Sequence, residues 1–348
     1  MSLVTAYAVP SNNAWTPDMD LLDIRNLTIE MDGPHGRVRV LDKVSLQLKE
    51  GEVHSLVGES GSGKSLLAKA VIGVLNPLWD VTADRLWWNG KDLLAMTPKQ
   101  RRAITGRDMA MIFQDPLAYL DPNSTVAEQI TEAIPAGDVT GTFMHRRIDR
   151  KTRVAQLLHR VGIRDHDAIM QSYPYELSEG VAQKVSIAIA IAHRPKLLIA
   201  DEPTTAMEPS TKDQIQRLLG KLAVSQNMSV LLITQDVASI LPATQRVSLL
   251  YCGQMMEHGD TETILNRPAH PYTDAMIKMS LQAHAELEPK SKLPSLPGAV
   301  PTLRHMPIGC RLGPRCPYAQ KQCVKAPLVR HREEQSYYCH FPLNEPES

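Results

Sequence analysis

Apolar and polar positions alternate from Leu21 to Met31 and again from Val38 to Gln47, a period of two that predicts two half-buried strands. A third predicted strand, Glu52 to Val57, runs into glycines, and the segment after Lys64 sets Leu66, Leu67, Ala70 and Val71 on one helical face. The local order is therefore strand, glycine-rich loop, helix. Val154, Leu157, Leu158 and Val161 form the stripe of an amphipathic helix over 151–161, whereas the nearly continuous apolar positions between Lys184 and His193 suit a helix buried on most sides. Leu197 to Ala200 and Val230 to Thr234 are short apolar runs closed by polar turns, the pattern of parallel strands covered on both faces. Such a mixture predicts an α/β core.

The 348 residues suffice for a large domain and a smaller one. Residues 1–20 are mixed and polar, with Pro10 and Pro17, and read as an irregular lead-in. Near the other end Pro294, Pro297, Pro301, Pro307, Pro314 and Pro317 break up any long helix or strand. The 38 Lys and Arg cancel the 38 Asp and Glu, so no basic excess points to nucleic acid, and a near-neutral chain tends to associate with partners. No signal peptide is expected, and the best apolar run, Val185 to Ala192, is far too short to cross a bilayer.

Chemistry enters with GESGSGKS. Gly58, Glu59, Ser60, Gly61, Ser62, Gly63, Lys64 and Ser65 have both the spacing and the strand-to-helix setting of a phosphate-binding loop. Several phosphate charges need convergent backbone amides, and glycines let the chain turn those amides inward without a side chain in the way. Lys64 would reach the β and γ phosphates and the Ser65 hydroxyl would ligate magnesium. A magnesium-bound nucleotide also needs a carboxylate at the tip of a neighbouring strand, and KLLIADEP supplies Asp201 there, with Glu202 next to it as the candidate general base. An Asp-Glu pair after an apolar run is common by itself; beside a phosphate loop it gains meaning.

The set GESGSGKS, Gln114 in MIFQDP, ELSEG at Glu176 to Gly180, LLIADEP and LLITQD resembles, in order, the nucleotide-binding subunits of ABC transporters. YCGQ, HPYTDAM, LPGAVP and GCRLGPRCPYA make it similar to the oligopeptide and dipeptide importer ATPases. The resemblance covers Leu21 to about Pro342. It implies an α/β P-loop NTPase fold of the ABC ATPase type, with a RecA-like core, an antiparallel β subdomain and a helical subdomain at about 115–185. The ATP-binding domain would span 21–265, and 266–348 would be a small C-terminal domain of the importer type with its cysteines at 310–339. The chain would be a transport ATPase, peripheral on the cytoplasmic face of the inner membrane. Its partners would be a second, different ATPase subunit, two integral membrane subunits and a periplasmic binding protein. The most similar systems are associated with peptides, including antimicrobial peptides, and with polyamine movement.

By the same resemblance Gln114 touches magnesium and the attacking water, Ser178 and Gly180 bind the γ phosphate held by the opposite subunit, and His35 occupies the place of the adenine-stacking residue. As plain structure, Gln114 would be a loop amide, Ser178 an N-cap and His35 a turn residue. Two departures stand out. Glu179 replaces a glycine of the usual LSGGQ signature, and Gln235 replaces the switch histidine, keeping a donor but losing the capacity for positive charge. Glu208 stands where the family has Asp. A catalytically weakened regulatory subunit is therefore the rival to a working ATPase, and a DNA-repair or translation ATPase is disfavoured by the balanced charge.

Cys252 stands apart from Cys310, Cys316, Cys323 and Cys339, which leave five, six and fifteen residues between successive members. In a proline-rich segment with little to bury, four cysteines predict a metal centre. Zinc usually shows a shorter gap between paired cysteines, and the importer resemblance implies a [4Fe-4S] cluster. Zinc, or no metal at all with cysteines packed as small hydrophobes, remain the alternatives.

Overall fold

The computed structural model describes residues 20–33, 36–138, 143–283 and 295–344. His35 lies outside them. The five parallel strands of the core sheet run Arg246–Tyr251, Val53–Val57, Ser229–Thr234, Leu197–Asp201 and Met109–Ile112 in spatial order. Val53–Val57, Leu197–Asp201 and Ser229–Thr234 are buried at every position, so the apolar runs of the sequence are strands covered on both faces. All three deliver their C-terminal ends to one edge, where a doubly covered parallel sheet places its ligand site.

A second sheet is antiparallel: Gly36–Leu48 pairs with Leu22–Gly33, which pairs with Arg85–Trp88 and Asp80–Thr82. Its inward residues Leu22, Ile24, Leu46 and Leu48 pack with Leu56, Ile233 and the buried side of helix Lys64–Ile72 in one apolar cluster. A further cluster joins the helices Val126–Ala133, Phe143–Arg160 and Glu179–Ile191 to the core sheet through Val126, Val154, Leu158, Val185 and Leu198. Among the described residues, no helix is long and apolar enough to cross a membrane.

The described residues after 266 are not set apart from the core. Strand Gln335–Tyr337 pairs antiparallel with Gln254–Asp260 and so lengthens the core sheet, and helix Pro271–Ala283 packs on the same side. Tyr272, Met276, Leu296 and Leu312 share an apolar cluster with Val57 and Tyr251, and Cys310 and Cys316 pack against it. The cysteine-bearing segment therefore lies against the strand that feeds the glycine-rich loop.

Candidate functional site

The loop after Val53–Val57 closes tightly. Gly61 and Gly63 take φ of 76° and 104°, a region that penalises any side chain, and a Cβ at Gly58 would run into the Leu250 carbonyl. Ser60 is exposed and Ser62 buried. Lys64, only 3% exposed, folds its Nζ back onto the carbonyls of Gly58 at 2.7 Å and Glu59 at 3.0 Å. Burial lowers its pKa against the opposing pull of Glu202, Asp201 and Glu59. A buried ammonium whose hydrogen bonds go to the loop's own carbonyls, above a helix start, fits a bound polyphosphate that would replace those carbonyls.

Asp201 ends its strand and accepts a hydrogen bond from Ser65 Oγ at 3.0 Å. Burial raises the Asp201 pKa, the Ser65 bond opposes it, and neighbouring Glu202 adds to the rise. A hydroxyl and a carboxylate oxygen side by side are the hard-oxygen pair that suits magnesium. Glu202 is bent into the left-handed region at φ 46°, a conformation that costs a non-glycine residue energy and directs its side chain into the cleft. Its Oε2 accepts from Gln235 Nε2 at 2.5 Å, Thr205 Oγ1 at 3.0 Å and Gln114 Nε2 at 3.3 Å, while Oε1 lies 3.8 Å from Lys64 Nζ. Residues from four separate stretches of chain thus converge on one carboxylate, aimed to polarise a water beside a phosphate.

Ser178 and Gly180 stand elsewhere, at the start of helix Glu179–Ile191. The N-cap reading of Ser178 is corrected in one respect. The residue occupies the cap position, but among the described residues its hydroxyl makes no capping bond and is exposed. Glu179 is likewise exposed in the first turn, where a carboxylate suits the positive end of the helix dipole. A Cβ on Gly180 would press on the Thr211 side chain of the neighbouring helix, which accounts for glycine there.

Cys310, Cys316, Cys323 and Cys339 line one cavity together with His270 and His340. Among the described residues, no group of three or more His, Cys, Asp or Glu is drawn close enough to hold a metal ion. His270 is buried and its Nδ1 accepts the Tyr272 amide at 3.0 Å, so the proton resides on Nε2. That Nε2 has no hydrogen-bond partner among the described residues. Burial drops the His270 pKa to about 3, so the ring is a neutral donor on the wall of the cysteine cavity. Four thiols lining one cavity are the donor set of a sulfur-ligated group, and the His270 ring lines the same cavity.

The sequence brought Lys64, Ser65, Asp201, Glu202, Gln114 and Gln235 forward, and the structure gathers them. It did not bring forward Thr205, which hides in the turn after Glu202, nor Tyr272 and Arg315, which bond Glu59 of the loop from the C-terminal segment. Their only signal was membership of the HPYTDAM and GCRLGPRCPYA phrases.

A profile of the ABC transporter family matches residues 41–205, and one of the oligopeptide/dipeptide transporter C-terminal region matches residues 256–323. The chain is 49% identical over 326 residues to the peptide transport system ATP-binding protein SapD of Salmonella typhimurium, covering 94% of this chain and 99% of that one. Against the dipeptide transport ATP-binding protein DppD of Escherichia coli, identity is 41% over 331 residues, 94% of this chain and 98% of that one. Among solved structures, the ATP-binding cassette MJ0796, a dimer in a post-hydrolysis state bound to ADP and Pi, matches with a TM-score of 0.60. That match covers 69% of this chain and 98% of the other at 24% identity, a likeness of fold. With near-half identity sustained along nearly the whole of SapD, and both profiles in their expected order, the chain belongs to the ATP-binding subunits of ABC transporters, in the oligopeptide/dipeptide group.

Proposed function

We propose that the chain binds and hydrolyses ATP to drive peptide transport, working as a peripheral subunit on the cytoplasmic face of the inner membrane. The observation that carries this is the convergence of Gln114, Thr205, Gln235 and Lys64 on Glu202 at the mouth of the phosphate loop. The loop amides and Lys64 hold the phosphates, Ser65, Gln114 and Asp201 hold magnesium, and Glu202 orients the attacking water and takes its proton. Bound MgATP supplies the phosphoanhydride whose cleavage powers the cycle. Ser178 and Gly180 complete the site of a second, different ATPase subunit, with the exposed Ser178 as the hydrogen-bond donor to its γ phosphate. Two integral membrane subunits and a periplasmic binding protein complete the assembly, and the SapD and DppD names support peptides as cargo, with antimicrobial peptides and polyamines in the same class of candidates. Glu202→Gln in the complex reconstituted into vesicles should retain MgATP binding and lose about 100-fold or more of its ATP turnover. Undiminished turnover would remove Glu202 from the role.

A weakened own site is the second reading, favoured by Gln235. Its 2.5 Å bond orients Glu202 as a histidine would, but it cannot carry charge into the transition state. Such a chain still binds ATP and turns it over slowly.

The cysteine cavity is read as holding a [4Fe-4S] cluster, supported by four thiols and the His270 donor around one space. The cluster would staple a proline-rich segment that buries little apolar surface. Anaerobically purified protein should contain iron and sulfide, and both should vanish in the double variant Cys316→Ser with Cys323→Ser. A metal-free, folded and active wild type would exclude it.

A further inference from the structure

We propose that Arg315 is a positioning residue for the phosphate loop, acting through Glu59, so that the cysteine-bearing segment sets how tightly the chain holds nucleotide. This rests on the reading of Gly58 to Ser65 as the ATP site. Glu59 is held at each of its polar handles. Its amide donates to Tyr272 Oη at 2.9 Å and its carbonyl accepts from Lys64 Nζ at 3.0 Å. Its two carboxylate oxygens accept from Arg315 Nη1 at 2.7 Å and Nη2 at 3.2 Å. Both partners from outside the loop belong to the C-terminal segment, and Arg315 immediately precedes Cys316.

The guanidinium fork fixes direction as well as distance, because two parallel bonds to one carboxylate leave it little freedom to rotate. Arg315 is itself immobilised. Its Nε donates to the Pro297 carbonyl at 3.0 Å, Nη1 also reaches Tyr251 Oη at 3.1 Å, and its side chain is 8% exposed. A second brace runs parallel to it. Arg311, next to Cys310, donates to the Cys252 carbonyl and to Asp42 Oδ2, and the adjacent Leu41 side chain occupies the space beside Gly63. Both arginines that neighbour the cysteines are therefore fastened to the floor and flank of the loop.

The consequence for binding follows from Lys64. Its two resting carbonyls are those of Gly58 and of Glu59, the residue that Arg315 holds, so drift of Glu59 disturbs the lysine and the amides beyond it. A loop fixed before nucleotide arrives pays less ordering entropy on binding. A purely structural Arg315, anchoring its own segment to Pro297 and Tyr251, would lower the melting temperature and leave nucleotide affinity alone.

The experiment measures MgATP dissociation constants and melting temperatures for the full-length chain and its variants Arg315→Ala, Arg315→Lys, Glu59→Gln and Arg315→Ala with Glu59→Gln, with Lys64→Ala as reference. Arg315→Ala and Glu59→Gln should each weaken MgATP about tenfold, as loss of a charged hydrogen-bonded pair does. The double variant should be no weaker than either single one, and Arg315→Lys should recover part of the loss. Wild-type affinity in folded Arg315→Ala and Glu59→Gln, with binding lost in Lys64→Ala, overturns the proposal and leaves the ATP site standing. Additive losses in the double variant also overturn it. Normal binding by Lys64→Ala would instead overturn the ATP-site reading beneath it. Should Arg315→Ala fail to fold, Glu59→Gln and Arg315→Lys decide by the same criteria.

Discussion

The nucleotide cleft and the cysteine cavity both gather polar side chains around a space, yet they treat those groups in opposite ways. In the cleft every functional group has a stand-in partner: Lys64 takes loop carbonyls, Ser65 takes Asp201, and Gln114, Thr205 and Gln235 take Glu202. In the cavity His270 Nε2 has no partner among the described residues, and burial pushes the Cys339 thiol up to about 12, with Cys310 and Cys316 also raised. On the proposed reading of a resident cluster in the cavity, the difference follows from how each ligand would be used. A ligand that comes and goes with every cycle must find a fold that is stable without it, so internal bonds cover its absence. A resident group can be part of the fold, and its wall can carry donors that nothing else satisfies.

The largest effect should come from the cleft. Lys64→Ala removes the ammonium that trades loop carbonyls for phosphate oxygens, and MgATP affinity should fall at least ~100-fold while the protein still folds, since the lysine's hydrogen bonds stay within its own loop and its contact with Glu202 is a long one at 3.8 Å. Calorimetric titration reads it directly. If the variant bound MgATP normally, the stand-in account of the cleft would be wrong.

A smaller effect should follow from Gln235→His. In the wild type Gln235 already bonds Glu202 at 2.5 Å, so orientation is in place and only charge is missing. Turnover by the assembled complex should therefore rise by a modest factor, about two- to tenfold, with MgATP affinity unchanged. A fall in turnover would mean that the glutamine is tuned to its neighbours and that this site is not limited by the switch residue.

The legibility of the two regions differs for a physical reason. Gly58 to Ser65 and Leu197 to Glu202 could be read directly because phosphate chemistry dictates residue types at short, fixed spacing, and the buried strands that carry them announce themselves as apolar runs. The antiparallel sheet was legible from its period of two. Tyr272 and Arg315 were not, because each acts across the fold on a residue that sequence distance does not reveal: Arg315 meets Glu59 over 256 positions. Thr205 was missed because a lone threonine in a turn three residues after Glu202 carries no signal of its own. Nor did the proline-rich composition after Pro294 indicate that Gln335–Tyr337 would join the core sheet, since a strand of 3 residues leaves no periodic signal. Ser178 shows the opposite case, a correct backbone position whose side chain makes no capping bond among the described residues.

The smallest predicted effect lies where the two regions meet. Asp236, next to Gln235, accepts from the Ala238 amide at 2.9 Å, from Ser280 Oγ of helix Pro271–Ala283 at 2.9 Å and from Lys212 Nζ at 3.1 Å. Burial works to raise its pKa, but these bonds outweigh it and hold the carboxyl below its ordinary value of 3.8. A carboxyl whose folded pKa is depressed contributes stability above its unfolded value and loses it as pH falls through the folded one. Asp236→Asn keeps the shape and the amide bond but loses the charge, so it should melt roughly 1–2 °C lower than wild type at pH 7, as for a loss of order 1 kcal/mol. Melting curves taken down the pH scale should start to converge as pH falls past the ordinary value of 3.8 and meet only below the depressed folded pKa, where the native wild-type carboxyl takes up its proton. A gap that stayed constant across that range would show that the charge of Asp236 is not what ties the switch loop to the C-terminal helix.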